Sequence, residues 1–302
     1  MSAGRRGVGC TVFSEGVTMA SAEQFPWKGI GLPDLAPESG DVQLVAMVDA
    51  AQVSSFSMLK WPWLRHAVLV EPLAEDRFNA TPHLFELPDT QDIGRLAAKL
   101  EGQSQSHGAL SVFVARRPIS ALAAAIRRRL DAVLPDGLDC MNRFFDGRVA
   151  PHVVAALTVD QRRSFCAFAS QWWVVGPDLR WLSLETSEAE DGDPFEPPLR
   201  LNELQQAKII DACYPYALIE HFERTDEELL HRIPIERRYS VLANALQAAE
   251  RYGLSDGPDA MLFCTLTMTR GERFFERADW QAALSRVQRG EIKLRDAMRA
   301  MP

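Results

Sequence analysis

Two histidines, His221 and His231, bracket Glu223, Asp226, Glu227 and Glu228, a mixture of imidazoles and carboxylates of the kind that holds a metal ion. Their spacing argues otherwise. On one continuous helix the two rings would lie about 15 Å apart along the axis, too far to share an ion, so the cluster reads as a solvated helix face. Asp191-Gly192-Asp193 offers a carboxylate pair for a divalent cation, but it lies in an acidic stretch without a supporting scaffold and reads as a flexible charged loop. Cys166 stands beside Phe165 and Phe168 with no neighbouring histidine, which makes it a buried thiol rather than a nucleophile. The sequence has no glycine-rich phosphate loop, nucleophile elbow or zinc-protease helix signature. It therefore supplies no catalytic residue, cofactor or metal ligand set; the enzyme alternative is a small-molecule pocket assembled from distant residues such as Asp49, Asp146 and His152.

Other residues suit non-covalent recognition. Arg116, Arg117, Arg127, Arg128 and Arg129 combine charge with planar hydrogen bonding, as interfaces favour; the alternative is a solvated helix end, where cations complement the dipole by about 0.3–1 kcal/mol each. Trp61-Pro62-Trp63 either anchors a partner or closes a turn over the core. Arg143 and Asp146 hold a strand-to-helix junction, with a partner role for Arg143 second to that. The candidate partner-binding set is Arg116, Arg117, Arg127, Arg128, Trp61, Trp63 and Arg143.

The elements that must position these residues are legible in part. Asp146 is placed to cap a helix beginning near Arg148, with Val149, Val153 and Leu157 on one face. Thr158 with Gln161 is a capping box for a second helix whose Phe165, Phe168 and Ala169 face the core. Trp172–Val175 and Arg180–Leu184 read as strands around Gly176-Pro177-Asp178, a hairpin. Upstream, the apolar runs Leu44–Val48, Ala67–Val70 and Leu110–Val114 alternate with helical patterns, one of them starting after Pro118 with Ile119, Leu122, Ile126 and Leu130 on one face. Downstream, Tyr239, Leu242, Leu246 and Ala249 form a helical stripe that Gly253-Leu254 terminates, and Asp279 is placed to cap a helix before Trp280.

The order of these features resembles the type VI secretion effector-chaperone (adaptor) family, a domain-of-unknown-function class whose members load toxins onto the VgrG spike. The resemblance rests on Arg143, Phe144, Phe145, Asp146, Arg148, Phe165, Trp172 and Trp173, on Ala46–Ala51 and Ala80–Leu87 upstream, and on Ala249, Tyr252-Gly253-Leu254, Gly271, Phe274 and Trp280 downstream. It departs at Gly147, where the family usually has proline, and at Cys166–Ala169, where a Phe-Gly-Pro run is common. It implies a cytoplasmic chaperone-adaptor whose partners are a type VI effector and the VgrG spike, acting without chemical turnover.

Composition sets the outer limits. The 302 residues, 47% hydrophobic and 25% charged, suffice for a sizeable core in one large or two moderate domains. A net charge of −8 argues against broad nucleic-acid binding, since phosphate neutralisation needs a basic surface. The five scattered cysteines fit a reducing compartment. No run approaches the roughly 20 apolar residues of a membrane span, and Arg5-Arg6 lacks the apolar core of a secretory signal, so neither membrane nor export is expected. The expected organisation is a loosely ordered segment 1–37, with Met19 an alternative start to Met1; an α/β N-terminal lobe with a mixed sheet over 38–184; a solvated acidic linker over 185–199; and an all-α C-terminal lobe over 200–302.

Overall fold

A computed structural model describes residues 17–19, 42–69, 79–100, 107–190, 192–255 and 257–301. The expected loose segment 1–37 lies outside the described residues except for Val17–Met19. The chain divides into two compact units. The first holds everything up to Val175 together with Arg180–Arg200, and the second holds Gly176–Leu179 and Leu201–Pro302. The first is an α/β unit and the second is helical.

The first unit is built on a seven-stranded sheet ordered β1-β9-β8-β5-β2-β4-β3, comprising β1 (Val17–Met19), β2 (Gln43–Asp49), β3 (Arg65–Ala67), β4 (Pro82–Leu87), β5 (Leu110–Ala115), β8 (Gln171–Val175) and β9 (Trp181–Leu184). Every adjacent pair is antiparallel. A smaller mixed sheet pairs β6 (Asp131–Val133) in parallel with β10 (Leu199–Arg200) and antiparallel with β7 (Asp139–Met141). β2 and β5 are buried on both faces, which explains why they read as unbroken apolar runs instead of alternating ones.

Strand periodicity then sorts the core. Ala46 and Val48 of β2 point to one face, where they meet Ile93, Leu96, Ala97 and Leu100 of helix α1 (Gln91–Leu100), together with Phe56 and Phe85. Val45, Met47 and Asp49 alternate with them and so belong to the opposite face. There Phe113, the cross-strand partner of Val45, stacks on Phe168 at 5.4 Å and Trp172 at 5.7 Å. Helix α2 (Ile119–Arg128) starts after Pro118 as expected and buries Ile119, Leu122 and Ile126. Helix α4 (Val159–Phe165) starts on the predicted capping box, with the Gln161 N–H donating to Thr158 Oγ1 at 3.3 Å and the Thr158 N–H to Gln161 Oε1 at 3.1 Å. The β8–β9 hairpin forms around Gly176-Pro177-Asp178.

The acidic segment 185–199 is not a solvated linker. It packs on the first unit as a strap, because its carboxylates find buried cations. Asp193 receives both terminal nitrogens of Arg129 at 2.7 Å each, and Glu188 receives the Arg117 Nε at 3.2 Å and the Arg116 backbone N–H at 2.9 Å. Phe195 and Leu199 are buried, and β10 ends the strap by pairing with β6. Arg129 itself corrects a second expectation. Far from lying at a solvated helix end, it is 0% exposed. Its guanidinium also donates to the carbonyls of Phe165, Ser164 and Ala125, and it lies 4.7 Å from the Phe195 ring and 5.0 Å from that of Phe168. Burial pulls the Arg129 pKa down while Asp193 offsets it; burial pushes Asp193 up, but its hydrogen bonds to Arg129 outweigh that and hold it below the usual carboxylate range.

The helical unit consists of α5 (Glu203–Thr225), α6 (Glu227–His231), α7 (Ile235–Arg251), α8 (Gly257–Arg270), α9 (Ala278–Gln288) and α10 (Leu294–Ala300). Leu218 and Phe222 of α5, Leu242, Ala245 and Ala249 of α7, and Phe263 and Cys264 of α8 share one core with Phe274 and Trp280, whose rings meet edge-on at 4.8 Å. Gly253 ends α7 at φ +75, with the Leu254 N–H returning to the Ala249 carbonyl, as its sequence predicts. Asp279, by contrast, is not the cap of α9. Arg277 takes that position, and Asp279 sits in the first turn, pairing with the Arg277 side chain at 2.7 Å.

Removing one partner of a buried pair leaves an uncompensated charge, so Arg129→Ala should lower the unfolding free energy by about 3–5 kcal/mol, read by urea denaturation. The depressed Asp193 pKa fixes the pH window. The contribution is complete above the unfolded carboxyl value of about 3.9 and is lost as pH falls through the lower folded value. The stability gap between the wild type and Asp193→Asn should therefore stay open from pH 7 to pH 5 and close only in strong acid.

Candidate functional site

The segment from Asn142 to Val149 connects the β6–β7 hairpin to helix α3 (Ala150–Ala156), and the chain enters it under constraint. The Asn142 N–H donates to the Leu130 carbonyl at 2.7 Å and its side-chain amide to the Arg129 carbonyl at 3.2 Å. Phe144 and Phe145 are buried, and Phe144 meets Phe165 at 5.2 Å and Trp172 at 5.9 Å edge-on. These anchors leave Arg143 and Arg148 pointing toward the surface, each held by a carboxylate from beneath.

Asp146 is the first of these carboxylates. It is 2% exposed, accepts the Arg148 backbone N–H at 2.9 Å, and binds the Arg148 guanidinium through Nε at 3.0 Å and Nη2 at 2.7 Å. It does not cap a helix at Arg148. The chain makes another turn through the Asp146 carbonyl, which accepts from Val149 and Ala150, and α3 opens at Ala150 with Pro151 in its first turn. Asp49, at the end of β2, is the second carboxylate. It is fully buried and accepts the Gln52 amide at 2.7 Å, the Ala51 N–H at 3.1 Å and Arg143 Nη2 at 3.2 Å. Burial raises its pKa, Gln52 and Arg143 oppose the rise, and the nearby Asp146 charge adds to it.

Two glycines let these layers close. A Cβ on Gly108 would sit 2.7 Å from Arg148 Cγ and 2.8 Å from Asp146 Oδ1, and the Gly108 carbonyl accepts the Gly147 N–H at 2.8 Å. That hydrogen bond gives Gly147 a physical reason to stand where the resembled family usually has proline: proline has no N–H to donate.

Chemically, the arrangement presents guanidinium groups over neutralised acids. The Arg143 side chain remains 48% exposed, rests 5.5 Å from the Phe145 ring and is tethered by Asp49; the Arg148 side chain is 29% exposed. A tethered, half-exposed guanidinium has donors left for carbonyl or carboxylate oxygens of a partner. His152, the third residue of the enzyme alternative, lies in α3, and burial lowers its pKa to about 4, so it is neutral at ordinary pH. Cys166 is buried, which pushes its thiol up to about 12. Among the described residues no group of three His, Cys, Asp or Glu converges as a metal site. Asp191 of the Asp-Gly-Asp pattern lies outside the described residues, while Asp193 is the partner of Arg129.

The other sequence candidates fall elsewhere in the first unit. Trp61 and Trp63 are half-buried against the core. Trp61 lies 5.1 Å from Phe56 and 4.7 Å from Phe85, with Lys99 over its ring at 5.6 Å, and Trp63 lies 6.5 Å from Phe85. Beside them Met58 and Leu64 are exposed, and Pro62, Trp63, Pro88, Asp89, Asp92, Arg95 and Lys99 line an open depression of about 580 Å³. Arg127 donates to the Val68 carbonyl at 2.7 Å, Arg128 to the Phe195 carbonyl, and Arg117 to Glu188 and the Ala167 carbonyl. Arg116 anchors Glu188 through its backbone and keeps its side chain exposed. Sequence reasoning missed Asp49 as the tether of Arg143, Gly108 as its neighbour's seat, and the depression; only the strand end at Asp49 carried any signal.

Gly108→Ala should destabilise by about 1–3 kcal/mol, the range for forcing atoms into a packed contact. A thermal melt reads the loss, and the effect should exceed that of Gly94→Ala, whose added Cβ meets nothing within 4 Å.

Searches of curated proteins and of solved structures found no match to the chain. A family model does match. Residues 46–164, from within β2 to the last turn of α4, fit the family described as Domain of unknown function (DUF4123), and this span contains Asp49, Gly108, Arg143, Asp146 and Arg148, the whole of the carboxylate–arginine junction.

Proposed function

We propose that the chain is a cytoplasmic chaperone-adaptor that binds a type VI secretion effector and promotes its loading onto the VgrG spike. The match over residues 46–164 and the order of motifs along the sequence support this reading. The observation that carries it is the state of the arginine junction: Asp49 and Asp146 are buried and ion-paired while Arg143 stays half exposed. Such a junction offers oriented donors without a nucleophile or a free base beside them, which suits recognition of another polypeptide. Met58 and Leu64 are exposed and the half-buried Trp63 lines the open depression, apolar surface of the type that anchors partners. Among the described residues no helix is long and apolar enough to cross a membrane.

The mechanism is non-covalent. A partner segment seats against the apolar group or the arginine junction, its own apolar surface is shielded until it reaches the spike, and the complex separates without turnover. Co-expression with a candidate effector taken from a neighbouring gene, followed by size-exclusion chromatography, tests the reading: the two chains should elute together. Arg143→Lys keeps a charge for Asp49 but loses the planar fork, and Trp63→Ala removes the ring. Each should weaken effector binding by about tenfold or more, roughly 1.4 kcal/mol per tenfold, and Arg143→Lys should do so with little change in melting temperature. Separate elution of chain and effector would count against the proposal.

A further inference from the structure

The β6–β7 hairpin ends the small sheet, whose order β10-β6-β7 leaves the far side of β7 without a neighbouring strand among the described residues. The hairpin is closed tightly. The Leu134 N–H donates to the Leu138 carbonyl and the Gly137 N–H to the Leu134 carbonyl, both at 2.9 Å, and Gly137 takes the positive φ of +85 that the turn requires. At the other end the Asn142 N–H donates to the Leu130 carbonyl at 2.7 Å. Hydrogen bonding alternates along an antiparallel pair. With Leu134 bonded to Leu138 and Leu130 to Asn142, the alternation turns the Cys140 backbone toward β6 and the N–H and carbonyl groups of Asp139 and Met141 away from it. The edge therefore offers donors and acceptors to an incoming strand, in a shape fixed before anything binds.

The side chains along the edge say what that strand carries. Register sets Met141 opposite Asp131 and Asp139 opposite Val133, so the four share the outer face, where Asp131, Asp139 and Met141 are exposed. Asp136 stands exposed in the turn. Among the described residues none of these three carboxylates is ion-paired. The arginines that flank the hairpin in sequence are committed elsewhere: Arg128 to the Phe195 carbonyl, Arg129 to Asp193 and Arg143 to Asp49. Arg200 of β10 shares the outer face but stands opposite Val133, two strands and about 9.5 Å from Asp139. The Cys140 thiol registers the field: burial raises its pKa, and the Asp139 and Asp136 charges add to the rise. Met141 is 56% exposed on the outer face, and Leu138, 62% exposed, adds apolar surface on the Cys140 side.

A second copy of β7 fits this edge poorly, because it would bring another set of unpaired carboxylates onto one sheet. A strand in which basic and apolar residues alternate meets both demands. Its cations face Asp131 and Asp139 while their methylene stems cover Met141, and its apolar residues lie on the Leu138 side.

We propose that β7 is a strand-addition edge and that its occupant is an extended segment of a partner polypeptide in which lysine or arginine alternates with apolar residues. It rests on the reading that the chain grips another polypeptide, and adds the chemistry of the gripped segment.

Fluorescence anisotropy on the full chain tests it, with a labelled, acetylated and amidated peptide of alternating lysine and valine as the probe. This peptide should bind about tenfold or more tighter than a glutamate–valine peptide of equal length. N-methylation along the whole lysine–valine peptide keeps every charge, removes every backbone donor, and should weaken binding by about tenfold or more. On binding, hydrogen exchange should slow at the Asp139 and Met141 N–H groups and stay unchanged at Cys140. Asp131→Lys/Asp139→Lys should reverse the preference toward the glutamate–valine peptide, a gain that misfolding cannot imitate. Equal affinity for the two peptides, or undiminished binding of the N-methylated one, overturns the proposal. So does an absence of binding, in which case the aspartates only guard the edge against other strands. The two readings fail separately. A chain that binds the lysine–valine peptide but no effector overturns the adaptor reading alone, and one that co-elutes with an effector but binds no such peptide overturns this proposal alone.

Discussion

The buried pairing of Arg129 with Asp193 is the constraint on which the first unit is organised. A guanidinium with no exposed surface is stable only when its donors are all met, and here two carboxylate oxygens and three backbone carbonyls meet them while aromatic rings pack around it. Those carbonyls belong to the ends of α2 and α4, so one side chain fixes where both helices stop. The same side chain turns an acidic, proline-containing segment into a strap that closes over Phe165 and delivers β10 to the small sheet. Without that cation, Asp193 would lose both of its guanidinium donors and the Phe195 ring the group packed on it.

A similar logic, at smaller depth, operates at the arginine junction. The Asp146 charge adds to the burial that raises the Asp49 pKa, and each of the two carboxylates is met by an arginine reaching down from the surface. The acids order the arginines; the arginines permit the acids to be buried. Gly108 and Gly147 act here through their lack of a side chain. They set the distance between the β5 entry and the turn, without which Asp146 would be displaced from Arg148.

How much of this was legible depends on how far apart the interacting residues lie. The Thr158 capping box, the helix after Pro118, the β8–β9 hairpin and the Gly253 cap involve partners within a few residues, where pattern and backbone physics coincide. The pairs that matter most are separated by 64 residues for Arg129–Asp193 and 94 for Arg143–Asp49, and no local pattern encodes such distances. The strap was misread for this reason. Counting its acids against its own neighbours gives net repulsion, whereas the counter-charges stand just beyond the two ends of α2. Asp146 and Asp279 were misassigned as caps by one turn or less, because an arginine two residues away competed for the same carboxylate. At the candidate site, the motif marked Arg143 and Asp146 correctly as a junction, but the sheet had to form before Asp49 could be recognised as part of it.

The distribution of arginine along the chain carries the functional argument one step further. Arg117, Arg127, Arg128 and Arg129 all donate inward, to carbonyls and carboxylates of the first unit, so the run that looked like a basic patch contributes mostly to holding the strap and the helix ends. An arginine whose donors are already committed has little to offer a partner. Arg143 differs because its tether, Asp49, engages one terminal nitrogen and leaves half of the side chain in solvent. Fixing one end of a guanidinium lowers the entropy that any binding event must overcome while leaving donors in place.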